Sequence, residues 1–215
     1  MMKKPLNTHF LTLIILFLFS ISTVETQGQN TDYQILKNIS KRRSPADDGF
    51  NHFISNTAGY ISVGTPILML GIGLIEHDKD LQNKSLVIGA SVAATIVETY
   101  ALKYIIKRPR PYITYPDINA LDTEGSPSFP SGHTSAAFGL ATSLSLNYPK
   151  WYVIVPSFAW AGLTGYSRMY LGVHYPTDVL AGAALGAGTA WLGWKVNKVW
   201  QKRMNKKAAI NNKIS

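Results

Sequence analysis

Three short blocks in the second half of this chain place cations, imidazoles and a carboxylate at spacings that suit work on an anion. The first runs from Lys103 to Arg110-Pro111, the second is Pro130-Ser131-Gly132-His133, and the third runs from Ser167-Arg168 through His174 to Asp178. Lys103, Arg110 and Arg168 supply three positive charges, and the planar fork of arginine suits two oxygens at once. Taken singly, each cation has a plainer explanation: Lys103 as a charge at a helix C-terminus, the arginines as side chains reaching lipid headgroups. Pro130-Ser131-Gly132 ahead of an apolar run is how a helix start is built, and a helix start offers free amides to an anion. Ser131 can equally act as a simple cap. His133, in the first turn of that helix, is poorly explained as core packing. Pro176 suits the first turn of the last helix, which puts His174 just before it and Asp178 inside it. From there the carboxylate can accept the second imidazole N–H and fix its tautomer, although alone it reads as an ordinary N-terminal helix charge.

In order and spacing, the three blocks resemble the signature of the type 2 phosphatidic acid phosphatase and vanadium haloperoxidase superfamily, and in particular its membrane lipid phosphatase branch. Every signature position is filled, and the resemblance covers about residues 57–196. It implies an all-α helical bundle and a phosphotransfer site for a tetrahedral oxyanion. It also implies roles: His174 as nucleophile, forming a phosphohistidine; His133 as the acid for the leaving alkoxide; Asp178 orienting His174. Lys103, Arg110 and Arg168 would hold phosphate oxygens, together with Ser131 and Gly132 at the helix start. Such a site needs cations, a nucleophile, an acid and fixed donors, and these residues supply all four without a metal or cofactor. Lys107 and Arg108 fall outside the signature and read as headgroup-facing or substrate-facing charges. Glu98, earlier on the helix of Lys103, reads as a buried acid, able to pair with a signature cation or with a hydroxyl on another helix.

The implied activity is metal-independent hydrolysis of a lipid phosphate monoester or diphosphate. A prenyl diphosphate, phosphatidate or phosphatidylglycerophosphate, and a lipid A phosphate are the substrate types to weigh. Two alternatives share the signature: a soluble secreted acid phosphatase, and a vanadate-dependent haloperoxidase in which His174 would ligate vanadate. A noncatalytic membrane protein would have no need of two histidines and three cations at this spacing. Nothing in the sequence speaks to oligomeric state, and residues 112–129 carry no recognisable pattern.

Composition favours the membrane reading. Of 215 residues, 46% are apolar and 15% charged, against about 25% charged in soluble domains. The absence of cysteine excludes disulfides, thiolate metal sites and a cysteine nucleophile. The net charge of +9 is concentrated at the ends, in Lys3, Lys4 and seven bases from Lys195 to Lys213. The rest of the chain balances at twelve bases and twelve acids, so the surplus reads as a positive-inside signal and not as a nucleic-acid groove.

Four regions are expected. Residues 1–28 have the parts of a secretory signal or short anchor, with an apolar run from Phe10 to Ile21. Residues 29–56 form a polar leader, broken at Lys41-Arg42-Arg43-Ser44-Pro45 and amphipathic around Phe50, Phe53 and Ile54; it reads as surface-lying or simply solvated. Residues 57–196 hold about five membrane-embedded helices, the last three rich in small residues, including Gly182-x-x-x-Gly186. The stretch from Gly188 to Lys195 lacks the Gly-Lys-Ser/Thr ending of a phosphate loop and reads as helix packing. Residues 197–215 form a basic cytoplasmic tail. This alternation puts all three signature blocks on the outer face of a bacterial inner membrane, toward the periplasm.

Overall fold

The computed structural model describes residues 25–214, so residues 1–24 of the expected signal or anchor lie outside the described residues. The described chain is all-α: α1 (Glu25–Lys41), α2 (Pro45–Ile75), α3 (Lys79–Ile106), a single turn α4 (Pro111–Thr114), a 3-10 turn at Pro116–Ile118, α5 (Gly132–Asn147), α6 (Trp151–Tyr170) and α7 (Pro176–Ile214).

Local chemistry sets the starts and stops. Ser44 caps α2, its hydroxyl accepting the Asp47 N–H, with Pro45 in the first turn and Asp47 and Asp48 set against the helix dipole. Asp78 caps α3 by accepting the N–H groups of Asp80 and Leu81 at 2.9 and 3.0 Å. At its other end α3 closes on Lys107 in the left-handed region, φ 52°, and Pro109 keeps the chain from resuming the helix. Two boundaries differ from expectation. The amphipathic stretch around Phe50 is the first part of α2, continuous with the first apolar segment, and the basic tail continues α7 to Ile214. In both places the charged residues are good helix formers, or sit where the helix dipole favours them, so no break arises.

The central helix is α5, which packs against α2, α3, α6 and α7. Its closest partner is α7. A Cβ placed on Gly182 would stand 2.7 Å from the Ser131 carbonyl oxygen, and one on Gly186 only 2.0 Å from that of Ser135. The small-residue spacing therefore lets two helix backbones touch. The stretch from Gly188 to Lys195 is helical throughout, and Gly193 packs on Ser91.

The bundle is inside-out relative to a water-soluble one. Its interior holds small and hydroxylated residues such as Ser62, Thr95, Thr99, Ser143 and Thr164, whereas Ile67, Leu68, Val97, Ile105 and Leu180 are exposed. Lipid tails solvate such an exterior, and close approach of small residues holds such an interior. Among the described residues, α2 and α3 are long and apolar enough to cross a membrane.

The leader helix α1 is docked along one face, while most of its described residues stay exposed or half-exposed. Leu36 is completely buried against Ile118 and Tyr175, with Tyr33 stacked on Tyr115. An apolar residue on a mostly polar helix is enough when the surface it meets is a loop cluster that would otherwise be open.

Candidate active site

The three signature blocks, far apart in sequence, converge where α3 ends and where α5 and α7 begin. Lys103 is buried in the last turn of α3, and its Nζ donates to the carbonyl oxygens of Pro127 (2.6 Å) and Ser128 (3.3 Å). Arg110, released from α3 by the Pro109 break, points back inward. Its Nε donates to Ser126 O at 2.9 Å, and Nη1 donates to Val173 O at 2.8 Å and to His174 Nε2 at 3.1 Å. Arg168, in the last turn of α6, is 1% exposed; it donates to the Ser55 hydroxyl and to Glu124 Oε1, while its Nε has no hydrogen-bond partner among the described residues.

The hydrogen bonds decide the tautomer of His174. A guanidinium can only donate, so Nε2, facing Arg110, is the accepting nitrogen and carries no proton. Nδ1 then bears the hydrogen and directs it toward Asp178 Oδ2 at 3.4 Å. Burial is the main cause that pushes the His174 pKa down to about 3, with Arg110 and Arg168 acting in the same sense against Asp178, so the ring is neutral at neutral pH. A neutral imidazole with a bare Nε2 inside a cluster of cations is chemically able to act as a nucleophile.

Asp178 is completely buried and fully engaged. Oδ2 accepts the Ser128 hydroxyl at 2.5 Å and the Tyr175 N–H at 3.0 Å, and Oδ1 accepts from Arg108 at 2.6 Å. His133 lines the cavity from the first turn of α5 and makes no hydrogen bond among the described residues, leaving its ring free for a bound group. Gly132 lines the same cavity, close to Lys103 and Thr99. Ser131 is buried beside it; its hydroxyl pairs with that of Thr134 at 2.8 Å and its N–H donates to Asp178 O at 3.0 Å. That last bond ties the start of α5 to the start of α7.

The cavity has a volume of about 190 Å³. It is lined by Lys103, Arg110, His133, His174 and the Glu124 carboxylate, and also by Gly59, Ile96, Tyr100 and Ala136 from α2, α3 and α5. A Cβ on Gly59 would meet nothing within 4 Å, so the wall there is open.

Four participants escaped the sequence reading. Glu124, Ser126 and Ser128 come from the patternless stretch 112–129, which proves to be the lid over the cations; its position between two signature blocks was the one available signal. Arg108 turns inward to two carboxylates, not outward to headgroups, while Lys107 is exposed as expected. Glu98 is not a buried partner of a site cation: it is exposed on α3 and accepts the Thr189 hydroxyl of α7 at 2.5 Å. Half a turn too far round α3 from Lys103, it looks away from the cavity.

Comparison with known proteins finds relatives of the chain in sequence and in fold. A model of the PAP2 superfamily matches residues 84–202. The bacitracin transport permease protein BcrC of Bacillus licheniformis is 31% identical over 170 residues, covering 75% of this chain and 82% of that protein. The undecaprenyl-diphosphatase BcrC of Bacillus subtilis is 28% identical, covering 69% and 75%. Among solved structures, the transmembrane PAP2-type phosphatidylglycerolphosphate phosphatase of Bacillus subtilis superposes with a TM-score of 0.71 at 28% identity, over 87% of this chain and 95% of that one.

Proposed function

The chain belongs to the PAP2 superfamily of phosphoric ester hydrolases, and we propose that it removes phosphate from a lipid monoester or diphosphate at the outer face of a bacterial inner membrane, through a phosphohistidine. The observation that carries this reading is the mixed lining of one cavity. Cations and imidazoles meet there with apolar and small residues from α2, α3 and α5, of which α2 and α3 are apolar enough to stand in lipid.

The phosphoryl oxygens lie among Lys103, Arg110, Arg168 and the free amides at the start of α5, displacing the Glu124 carboxylate that pairs with Arg168 and Arg110 in the free enzyme. As Arg110 Nη1 moves from His174 Nε2 to a phosphate oxygen, the Nε2 lone pair is freed. It forms the P–N bond while the P–O bond to the lipid breaks, and the electron pair leaves on the lipid oxygen. His133, which lines the same cavity, gives that oxygen its proton. In the second half His133 takes a proton from water, the new oxygen attacks phosphorus, and the P–N bond electrons return to Nε2. Asp178 holds the Nδ1 hydrogen throughout and stabilises the charge that develops on the ring.

A prenyl diphosphate and a glycerophospholipid phosphate are the two substrate types favoured, since the BcrC relative and the superposed structure are named for one of each. The test is phosphate release by protein purified in detergent, with excess chelator, from undecaprenyl diphosphate, phosphatidylglycerophosphate, phosphatidate, lipid A and p-nitrophenyl phosphate. Release from a long-chain lipid with a kcat/KM well above that for the aryl ester is expected, with inhibition by vanadate, which mimics the five-coordinate transition state. A dependence on added Mg²⁺, or faster turnover of the soluble ester than of every lipid, would overturn it.

A further inference from the structure

Arg108 lies outside the signature, yet both of its terminal nitrogens are held by carboxylates. Its Nη1 donates to Asp178 Oδ1 (2.6 Å) and to the Thr177 hydroxyl (2.7 Å), and its Nη2 to Asp32 Oδ2 (2.8 Å). The guanidinium also lies over the Tyr175 ring, 3.8 Å from its centroid. Three hydrogen bonds and one ring contact thus hold it, to Asp32 of α1 and to residues just after His174. Asp32, from α1, is 2% exposed and has further work at the same place: Oδ1 accepts the Thr177 N–H at 3.1 Å and Oδ2 the Thr177 hydroxyl at 2.5 Å. It therefore caps the first turn of α7 from outside the helix, where an N–H would otherwise lack an intrahelical partner.

The consequence falls on Asp178. With Oδ1 held by Arg108, the carboxylate cannot rotate, and Oδ2 stays aimed at His174 Nδ1 and the Tyr175 N–H. A guanidinium that bridges two buried carboxylates, one through each Nη, orients as well as attracts. The chain of contact runs Asp32, Arg108, Asp178, His174, and begins on a helix well before residue 84, where the PAP2 match starts.

We infer that Asp32 and Arg108 are positioning residues for the reaction: α1 completes the active site by fixing Arg108, and Arg108 fixes the carboxylate that orients His174. This rests on the phosphatase reading, in which His174 is the nucleophile. A purely structural staple would lower stability and leave turnover per folded molecule intact. A positioning role lowers kcat with little change in KM, because the phosphate-binding cations are untouched.

The experiment compares Asp32→Asn, Asp32→Ala, Arg108→Lys, Arg108→Gln and the double variant Asp32→Ala/Arg108→Gln, with thermal unfolding and kcat and KM measured on the lipid that wild type turns over best. Arg108→Gln should lower kcat about 100-fold and Asp32→Ala about 10-fold, with KM within about threefold of wild type. Arg108→Lys and Asp32→Asn, which keep part of the bonding in nearly the same volume, should recover part of each loss. Because the two residues act through one path, the double variant should be no worse than about twofold below Arg108→Gln. In parallel, ¹⁵N spectra of histidine-labelled protein read the His174 ring directly. Wild type should show one tautomer with hydrogen on Nδ1, and Arg108→Gln a mixture. Full additivity of the two losses, or normal kcat in both single variants with an unchanged His174 signal, overturns the inference. Should wild type release phosphate from no lipid, the phosphatase reading fails on its own, and the ¹⁵N spectra of Arg108→Gln and Asp32→Ala still decide whether Asp32 and Arg108 set the His174 ring.

Discussion

At His174 the bare Nε2 and the hydrogen on Nδ1 follow from two bonds together, the donation from Arg110 and the acceptance by Asp178, and they make the roles of the two histidines separable by experiment. His174→Ala should abolish turnover of every substrate, because no nucleophile remains. His133→Ala should do so selectively. A lipid alkoxide is a poor leaving group and needs a proton, so kcat for a lipid monoester should fall about 10²–10⁴-fold. The p-nitrophenolate of an aryl ester leaves without help, and its loss should be under about tenfold. Equal losses on both substrates would remove the acid role from His133. Burial also gives His174 a signature in stability. Its pKa lies near 3 in the folded protein and about 6.5 unfolded, so the unfolded chain takes up a proton first as pH falls. Stability from this residue is complete above about pH 6.5 and is lost progressively toward pH 3, by at most about 1.4 kcal/mol per pH unit. Between pH 7.5 and 5 the Tm of wild type should drop more than that of His174→Ala; parallel drops would show that the ring is not buried neutral. All the signature residues were legible because their spacing is fixed by helix ends. Arg108, Asp32, Ser128 and Glu124 were not, since a side chain's inward or outward turn depends on which loop covers it, and no local pattern encodes that.

Among the elements, the contact of α5 with α7 sets the distances on which the site depends. Ser131 and Asp178 are bonded across it, so any separation of the two helices moves His133 relative to His174. Gly186 is where the backbones meet: a Cβ there stands 2.0 Å from Ser135 O and 2.8 Å from Gly139 N. Gly186→Ala should therefore cost about 3 kcal/mol and lower kcat as well. Gly188→Ala, two residues along the same helix, meets nothing within 4 Å and should match or exceed wild-type stability through better helix propensity. Thermal unfolding of the pair in one detergent is the check, and equal stability of the two variants would show that the helices are not in backbone contact. The five long helices, the turn after Lys41 and the small-residue packing of α7 could all be read from hydropathy and Gly spacing. The fusion of the leader to α2 could not, because Pro45 in a first turn starts a helix without saying how far it runs. Nor could the docking of α1, whose single buried Leu36 gives no amphipathic pattern.

For the whole molecule, the side of the membrane on which the site lies is argued from charge and length. From α2 onward the chain has five long helices, α2, α3, α5, α6 and α7, joined alternately at the two ends of the bundle. The signature blocks and the lid over 112–129 lie at one end, together with Asp32 and the start of α7. The connections at Glu76–Asp78 and Tyr148–Lys150 lie at the other, as does the far part of α7. That far part carries Lys195, Lys198, Lys202, Arg203, Lys206, Lys207 and Lys213 with no acid after Asp178. The positive-inside bias favours keeping such a cluster on the cytoplasmic side. On the proposed reading the active site would then be periplasmic, reached by a lipid phosphate from the outer leaflet while its chain stays beside α2 and α3. Fusions at Gly125 and Asn212 should report oppositely: alkaline phosphatase active only at Gly125, green fluorescence only at Asn212. Removing the charge by changing Lys198, Lys202, Arg203, Lys206 and Lys207 to Gln should weaken that bias and yield a mixed population. Alkaline phosphatase activity from the wild-type tail would place the site in the cytoplasm, and with it any lipid substrate in the inner leaflet.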